Sequence, residues 1–285
     1  MHELSSVNIP EISMCALLKR YAVLLLDGYG VLVHSTGALP GAIELIDGLN
    51  CSGKPYYILT NDASRLPTTS AAWFQGFGLA IHPDRIITSG ELLKDFFSTR
   101  GLVGSRCVVL GPEDSQRYVE EAGGQLVPPG DAFDVLVLAD ERGFPFFETA
   151  DAVLTALFQK LDRGEDVEFV LPNPDAIFPK ADQGFGVASG SVAAMLEAAL
   201  RARYPHRADL RFTRLGKPEE GIFAEALRRS GTRDMVMVGD QLETDIRGAR
   251  AFGLDAAWVS DSCPLPALAT LPANLWPTYR LISLT

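Results

Sequence analysis

The stretch YAVLLLDGYGVLVH, Tyr21 to His34, decides how this chain is read. Apolar residues run unbroken from Ala22 to Leu26, the pattern of a strand covered on both faces. Asp27-Gly28-Tyr29-Gly30 then interrupts the run before Val31 and Leu32 resume it. A carboxylate on a glycine-rich turn at the end of a buried strand has the form of an active site built around Asp27. An isolated Asp-Gly between apolar runs is equally a hairpin turn, so the reading depends on what the rest of the chain supplies.

Outward from this stretch the same grammar repeats. Gly41 to Leu49 reads as a helix, Pro55 to Thr60 (PYYILT) as a second strand, Ser70 to Gly78 as a helix and Ile86 to Thr88 as a short strand. Helical patterns at 91–97, 115–122 and 150–161 alternate with strand patterns at 106–110, 134–140 and 167–173. A long apolar-striped helix over Ser191 to Arg203 leads to Thr213-Arg214-Leu215-Gly216. A helix at Phe223 to Arg229, a strand in DMVMVGD, a helix at Asp245 to Phe252 and a strand at Ala256 to Asp261 follow, and the Pro-rich stretch Cys263 to Pro277 is expected to wrap the surface. Strands alternating with helices predict βαβ units and an α/β fold around a doubly wound parallel sheet.

Composition narrows the function. The 285 residues are 47% hydrophobic and 21% charged, enough for one large or two modest cored domains. A net charge of −11 with no Lys/Arg-rich run disfavours non-specific binding to nucleic acid or anionic membranes. Trp73, Trp258 and Trp276 show no base-stacking pattern and read as packing residues. Cys15, Cys51, Cys107 and Cys263 are scattered without a CxxC pair, as expected of idle thiols in a reducing compartment. The N-terminus lacks a secretory pattern, and Val23 to Leu26 is too short to cross a bilayer. The expectation is a soluble, cytoplasmic protein without nucleic-acid or membrane partners.

Three strand-end sequences carry polar residues: LLLDGYG, YILTNDAS and VMVGDQLETD, with Gly216-Lys217-Pro218 ahead of the third. Taken singly, each has a bland explanation. Thr60 and Asn61 suit a helix cap, Lys217 a solvated loop, and Asp240 and Asp245 the first turn of a helix. Together they form a phosphoryl-transfer set. A carboxylate attacking phosphorus needs a hard cation on the phosphoryl oxygens, and magnesium prefers carboxylates and waters. Asp27 and Asp240 supply that pair, and Asp245 would orient a bound water or ligand. Lys217 would pair with both nucleophile and phosphoryl group. Thr60, Asn61 and the neighbouring Asp62 would bind further oxygens, and the N–H groups of Gly28 to Gly30 would complete an anion cradle.

These segments resemble the four motifs of the haloacid dehalogenase-like hydrolase superfamily: LLLDGYGVL, ILTN, the Lys217 of GKP, and VGDQLETD. NPDAIFP (Asn173 to Pro179) and GFGVASGSVAAML (Gly184 to Leu196) are similar to the subgroup of 4-nitrophenyl, pyridoxal-phosphate, sugar and nucleotide phosphatases. The resemblance implies a Rossmann-like core, about residues 1–88 and 190–285, with an inserted α/β cap at about 89–189. It implies that Asp27 forms an aspartyl-phosphate. Mg2+ would be held by Asp27, the Tyr29 carbonyl and Asp240, with Asp245 close by, while Thr60, Asn61 and Lys217 bind the phosphoryl group. The substrate would be a small phosphorylated metabolite such as a sugar phosphate or nucleotide. Related proteins often dimerise through the cap, so a homodimer is expected. Asn173 and Asp175, near the core–cap junction, are candidate substrate contacts, although Asn-Pro-Asp is also a good turn sequence.

One position departs from the pattern. Phosphatases of this family place an aspartate where this chain has Tyr29, to protonate the leaving group and then activate water. A phenol ordinarily titrates near pH ~10, so Tyr29 can donate a proton but is a poor base, and slow turnover follows. His34, seven residues after Asp27, is an alternative base, or a residue packed beside the strand. Haloacid dehalogenases proper carry a tyrosine at this place and need no metal, but they lack the metal-binding Gly-Asp that stands here as Gly239-Asp240. A catalytically impaired protein that binds a phosphate ligand is the third alternative.

Overall fold

The computed structural model describes residues 9–180, 184–259 and 271–285. The chain opens with β1 (Glu11–Ile12), α1 (Met14–Arg20), β2 (Val23–Leu26), a small hairpin of β3 (Val33–His34) and β4 (Gly37–Ala38), α2 (Ala42–Ser52), β5 (Tyr56–Thr60), α3 (Pro67–Gly76) and β6 (Ile86–Thr88). A second series follows: α4 (Leu92–Arg100), β7 (Arg106–Leu110), α5 (Glu113–Glu121), β8 (Gln125–Leu126), β9 (Val135–Leu138), α6 (Phe146–Asp162), β10 (Glu168–Leu171), β11 (Ile177–Pro179), β12 (Phe185–Val187), α7 (Ser189–Arg203) and β13 (Thr213–Arg214). The chain closes with α8 (Glu220–Ser230), β14 (Met235–Gly239), α9 (Arg247–Ala251), β15 (Asp255–Val259) and β16 (Tyr279–Leu281).

These elements sort into two compact units. The first holds the described residues up to Thr60, Pro67–Ile87 and those from Lys217 onward; the second holds Asn61–Leu66 and Thr88–Gly216. In the first, seven strands lie in the order β1-β16-β15-β14-β2-β5-β6. β2 runs parallel to both β5 and β14, and β15, β16 and β1 continue the parallel sheet. All four β2 side chains are buried because both faces are covered. Leu24 and Leu26 share a cluster with Leu17 of α1 and Leu45, Ile46 and Leu49 of α2, while α8 lies on β5 and α9 on β15. Each fully buried leucine contributes ~1.5–3 kcal/mol over an exposed one. From β2 the chain steps outward to β5 and β6, then returns on the other side of β2 as β14. The strand order therefore switches between β2 and β14, where open parallel sheets bind ligands, and Asp27 and Asp240 directly follow those two strands.

The second unit is a parallel sheet as well, ordered β13-β10-β9-β7-β8. Alternation along its strands separates two faces. Leu136, Leu138, Phe169 and Leu171 meet Val153 and Leu157 of α6 and Val192 and Leu196 of α7. Val135, Val137 and Val170 meet Leu93 and Phe97 of α4 and Val119 of α5.

The structure moves several expected boundaries. The second unit extends to Gly216, beyond residue 189, because α7 packs on β10 and β13 pairs with β10. It also takes in Asn61–Leu66. The carbonyls of Asn61, Ala63 and Arg65 accept hydrogen bonds from Ser89, Ser115 and Tyr118 at 2.7, 2.8 and 2.7 Å, and Leu66 N–H donates to Asp114 at 3.0 Å. In place of one helix over 245–252, a π-helical turn at Leu242–Ile246 precedes α9. The expected surface wrap over 263–277 lies outside the described residues as far as 270; beyond it, β16 adds a strand to the first sheet. Cys107 is buried and Cys15 and Cys51 are exposed, all free thiols. Among the described residues no helix is long and apolar enough to cross a membrane.

Candidate active site

β2 delivers Asp27 into the first unit at 5% exposure, its N–H still in the ladder to Val238 of β14 at 2.9 Å. Two donors meet on its carboxylate oxygen Oδ1: the N–H of Gly28 at 2.8 Å and Lys217 Nζ at 2.7 Å. Lys217 also donates to Asp245 Oδ1 at 2.7 Å and to the Leu59 carbonyl at 2.9 Å. Three acceptors match the three donors of an ammonium group, so the lysine is fixed in place. Asp245 accepts a second bond on Oδ2 from Gln241 N–H at 3.1 Å, across the π-helical turn.

Asp240 completes the cluster. Its backbone carbonyl is held by the Trp258 indole N–H at 2.8 Å. Gly30 stands against its side chain with φ of 99°; a Cβ there would come within 2.3 Å of Asp240 Oδ2, so only glycine fits. Gly239 is similarly closed by Asp245, whose Cβ would lie 2.3 Å from an added methyl carbon. Asp27, Asp240 and Asp245 each offer an oxygen within 4.8 Å of the others, all in buried positions. Among the described residues, Asp240 Oδ1 is a buried oxygen with no hydrogen-bond partner.

Three carboxylates share one lysine, and their titration reflects it. Burial, then the charges of Asp27 and Asp245, push the Asp240 carboxyl well above the usual range against the pull of Lys217. Burial and Asp27 push Asp245 up to about 6, again opposed by Lys217. For Lys217, burial disfavours the charge, but Asp245 and Asp27 outweigh it and hold the ammonium above the ordinary lysine value. A buried excess of negative charge with an unpartnered oxygen suits a hard divalent cation. Asp27 and Asp240 fit as its side-chain ligands, whereas Asp245 is occupied by Lys217 and Gln241.

The structure gives the remaining predicted residues specific surroundings. Thr60 closes β5, half-buried. The N–H of Gly28, expected in an anion cradle, faces the Asp27 carboxylate. The Tyr29 phenol accepts a hydrogen bond from Ser35 N–H at 3.1 Å, and its ring meets the edge of His34 at 5.5 Å. His34 is half-buried, and burial draws its imidazole below the ordinary histidine value. Asn61, in the second unit, donates from Nδ2 to Asp175 Oδ1 at 2.9 Å. Asn173 Oδ1 accepts from Asp175 N–H at 3.1 Å, the turn that Asn-Pro-Asp suggested. Asp62 is engaged locally by Ser64 and Arg65. Sequence reasoning missed the grip of Asp245 on Lys217 and the Trp258 bond to Asp240. It also missed Asp140, which follows β9 in the second unit and is pushed up to about 7 by burial and by Glu141. Its place at the end of DVLVLAD was the available sign.

Comparison with known proteins places the chain in a family. Residues 24–125 match the model of the haloacid dehalogenase-like hydrolases, and residues 214–279 match a related HAD-hydrolase-like model. A dihydroxyacetone phosphatase of Corynebacterium glutamicum is 30% identical over 82% of this chain and 79% of its own length. The crystal structure of a possible sugar phosphatase from Cytophaga hutchinsonii is 30% identical, with a TM-score of 0.81 over 97% of this chain and 99% of that one. A glycerol phosphate phosphatase of Mycobacterium tuberculosis, solved with magnesium, shares the fold with a TM-score of 0.74 and 23% identity over 93% of this chain and 75% of that one. The chain belongs to the haloacid dehalogenase-like hydrolases.

Proposed function

We propose that the chain is a magnesium-dependent phosphatase of small phosphorylated metabolites, sugar phosphates or nucleotides, working through an aspartyl-phosphate on Asp27. The observation that carries the reading is the buried Asp27–Lys217–Asp245 chain beside an Asp240 oxygen that no group among the described residues satisfies. Asp27 attacks phosphorus as the bond to the leaving oxygen breaks, and the leaving oxygen takes a proton from solvent. Water then attacks phosphorus and gives up a proton to solvent as the bond to Asp27 breaks, and inorganic phosphate is released with Asp27 restored. Lys217 orients the nucleophile and offsets its charge while Asp245 holds the lysine. Magnesium, held by Asp27 and Asp240 with the Tyr29 carbonyl, would neutralise the phosphoryl oxygens.

Thr60 and Asn61 are assigned to the phosphoryl oxygens, and the inserted unit to leaving-group choice as a cap. The phosphatase names of the relatives support the reaction class. The dehalogenase alternative needs no metal and gives Asp240 no role. The test is a panel of phosphorylated metabolites and 4-nitrophenyl phosphate, with magnesium or with chelator, alongside intact-mass detection of phosphoenzyme. Magnesium-dependent release of phosphate, lost in Asp27→Asn, is expected. Full activity in excess chelator would sink the proposal.

A further inference from the structure

We infer that Tyr29 is a positioning residue that anchors the β3–β4 hairpin to the turn carrying the nucleophile; the kinetic part of this inference rests on the phosphatase reading. The hairpin has only two residue pairs, Val33 with Ala38 and His34 with Gly37, too few to be stable alone. Its root is bonded to the active-site turn: Gly28 C=O accepts from the N–H groups of Leu32 and Val33 at 3.0 and 3.1 Å, and Gly30 N–H donates to Val33 C=O at 2.9 Å. Its tip is bonded to Tyr29 alone among the described side chains, through Ser35 N–H to the phenol oxygen at 3.1 Å. The Tyr29 ring also carries the edge of His34 and packs on the core of the first unit.

The consequence runs back along the chain. Ser35 holds the phenol, the hairpin root holds Gly28, and Gly28 N–H holds Asp27 Oδ1. An aspartate at position 29 would be too short to reach Ser35. The tyrosine therefore gives up the base of the usual carboxylate and fixes the nucleophile's turn.

The experiment compares wild type, Tyr29→Phe, Ser35→Pro and the double variant. It reads amide exchange at Ser35 by NMR in the two chains that retain that amide. Steady-state rates with magnesium are read on 4-nitrophenyl phosphate and on glycerol 3-phosphate. Tyr29→Phe keeps the ring and removes the acceptor, so Ser35 exchange should rise about fivefold. In the same variant kcat should fall by a similar factor on both esters while KM holds. Ser35→Pro removes the donor and should reproduce that fall, and the double variant should fall no further, as coupled partners do. Unchanged exchange at Ser35, or additive losses, would overturn the anchor. A loss more than tenfold greater on glycerol 3-phosphate than on the activated ester would make Tyr29 the proton donor and overturn it too. If wild type turns over neither these esters nor any of the phosphorylated metabolite panel, the phosphatase reading fails, and the exchange rate alone decides the anchor.

Discussion

Each unit buries one lysine beside a carboxylate at the level of its parallel sheet, and the two lysines sit in opposite charge economies. Lys160, on α6 of the second unit, donates to Asp134 Oδ1 at 2.6 Å and to the Phe133 carbonyl at 2.7 Å. Asp134 also takes two side-chain bonds from Arg106 at 3.0 Å each, so one carboxylate has two cations. Arg106 and Lys160 outweigh the effect of burial and hold that carboxyl well below the usual range. Lys217 faces three carboxylates, two of which are held above the usual carboxylate range. A cation-rich group fastens a helix to a strand. A carboxylate-rich one stores a demand for positive charge, which a phosphoryl-transfer site can use.

The largest expected effect comes from removing the one cation of the unbalanced cluster. Lys217→Met leaves three buried carboxylates facing one another, and breaking a buried pair costs about 3–5 kcal/mol. Urea unfolding in chelator should show a loss of that size, and phosphatase turnover should fall at least ~10³-fold, as for other groups that stabilise charge at the reacting centre. A stable, active Lys217→Met protein would erase the distinction between the two lysines.

Asp240→Asn tests the other side of the imbalance. A carboxyl raised above its unfolded value near ~3.9 favours the fold only while protonated. Metal-free wild type should therefore lose stability as pH rises from about 4 through the Asp245 value of about 6, and ionisation of the likewise raised Asp240 adds to the loss. Asp240→Asn removes one of these charges and should raise the metal-free melting temperature at pH 8 by roughly 2–4 °C, while abolishing both magnesium-dependent turnover and stabilisation by magnesium. Asp134 has the reverse sign: its lowered carboxyl adds stability above pH ~4 that is lost as the solution becomes more acidic. Differential scanning calorimetry below pH ~4 reads the Asp134 limb, and across pH ~4–8, with and without magnesium, the limb of the Asp27 cluster. A melting temperature flat over that range in chelator would contradict the imbalance.

Much of this was legible in the residues. Unbroken apolar runs marked β2 and β14 as strands buried on both faces, and the polar residues at their ends were the ones gathered around Lys217. Other features left no periodic trace. The apolar stripe of α7 announces burial but not which sheet receives it, so residues 190–216 were assigned to the wrong unit. β1 and β16 are too short to show an alternation, and β16 follows a proline-rich stretch that reads as loop. Asp245 looked like a water-orienting residue because spacing reports proximity to a helix start, not which cation the carboxylate will meet. The capture of Asn61–Leu66 by the second unit depends on Ser89, Ser115 and Tyr118, whose sequence distance from the segment hides the contact.

The smallest effect belongs to Lys160. Lys160→Met keeps the length and apolar stem of a side chain that is 8% exposed and removes only its charge. Asp134 keeps Arg106, the largest source of its lowered titration, so the acid limb of the stability profile should persist, shifted only part of the way toward the ordinary carboxylate value by the loss of Lys160. The cost falls on the Phe133 carbonyl, which loses its lysine donor, and an unsatisfied buried acceptor costs about 1–3 kcal/mol. Turnover should remain within about twofold of wild type, because Lys160 belongs to the second unit and the Asp27 cluster to the first. Urea unfolding and magnesium-dependent rates measured beside Lys217→Met make the comparison direct. A Lys160→Met loss as large as that of Lys217→Met would mean that burial of the ammonium, and not the number of carboxylates sharing it, sets what a lysine does in this protein.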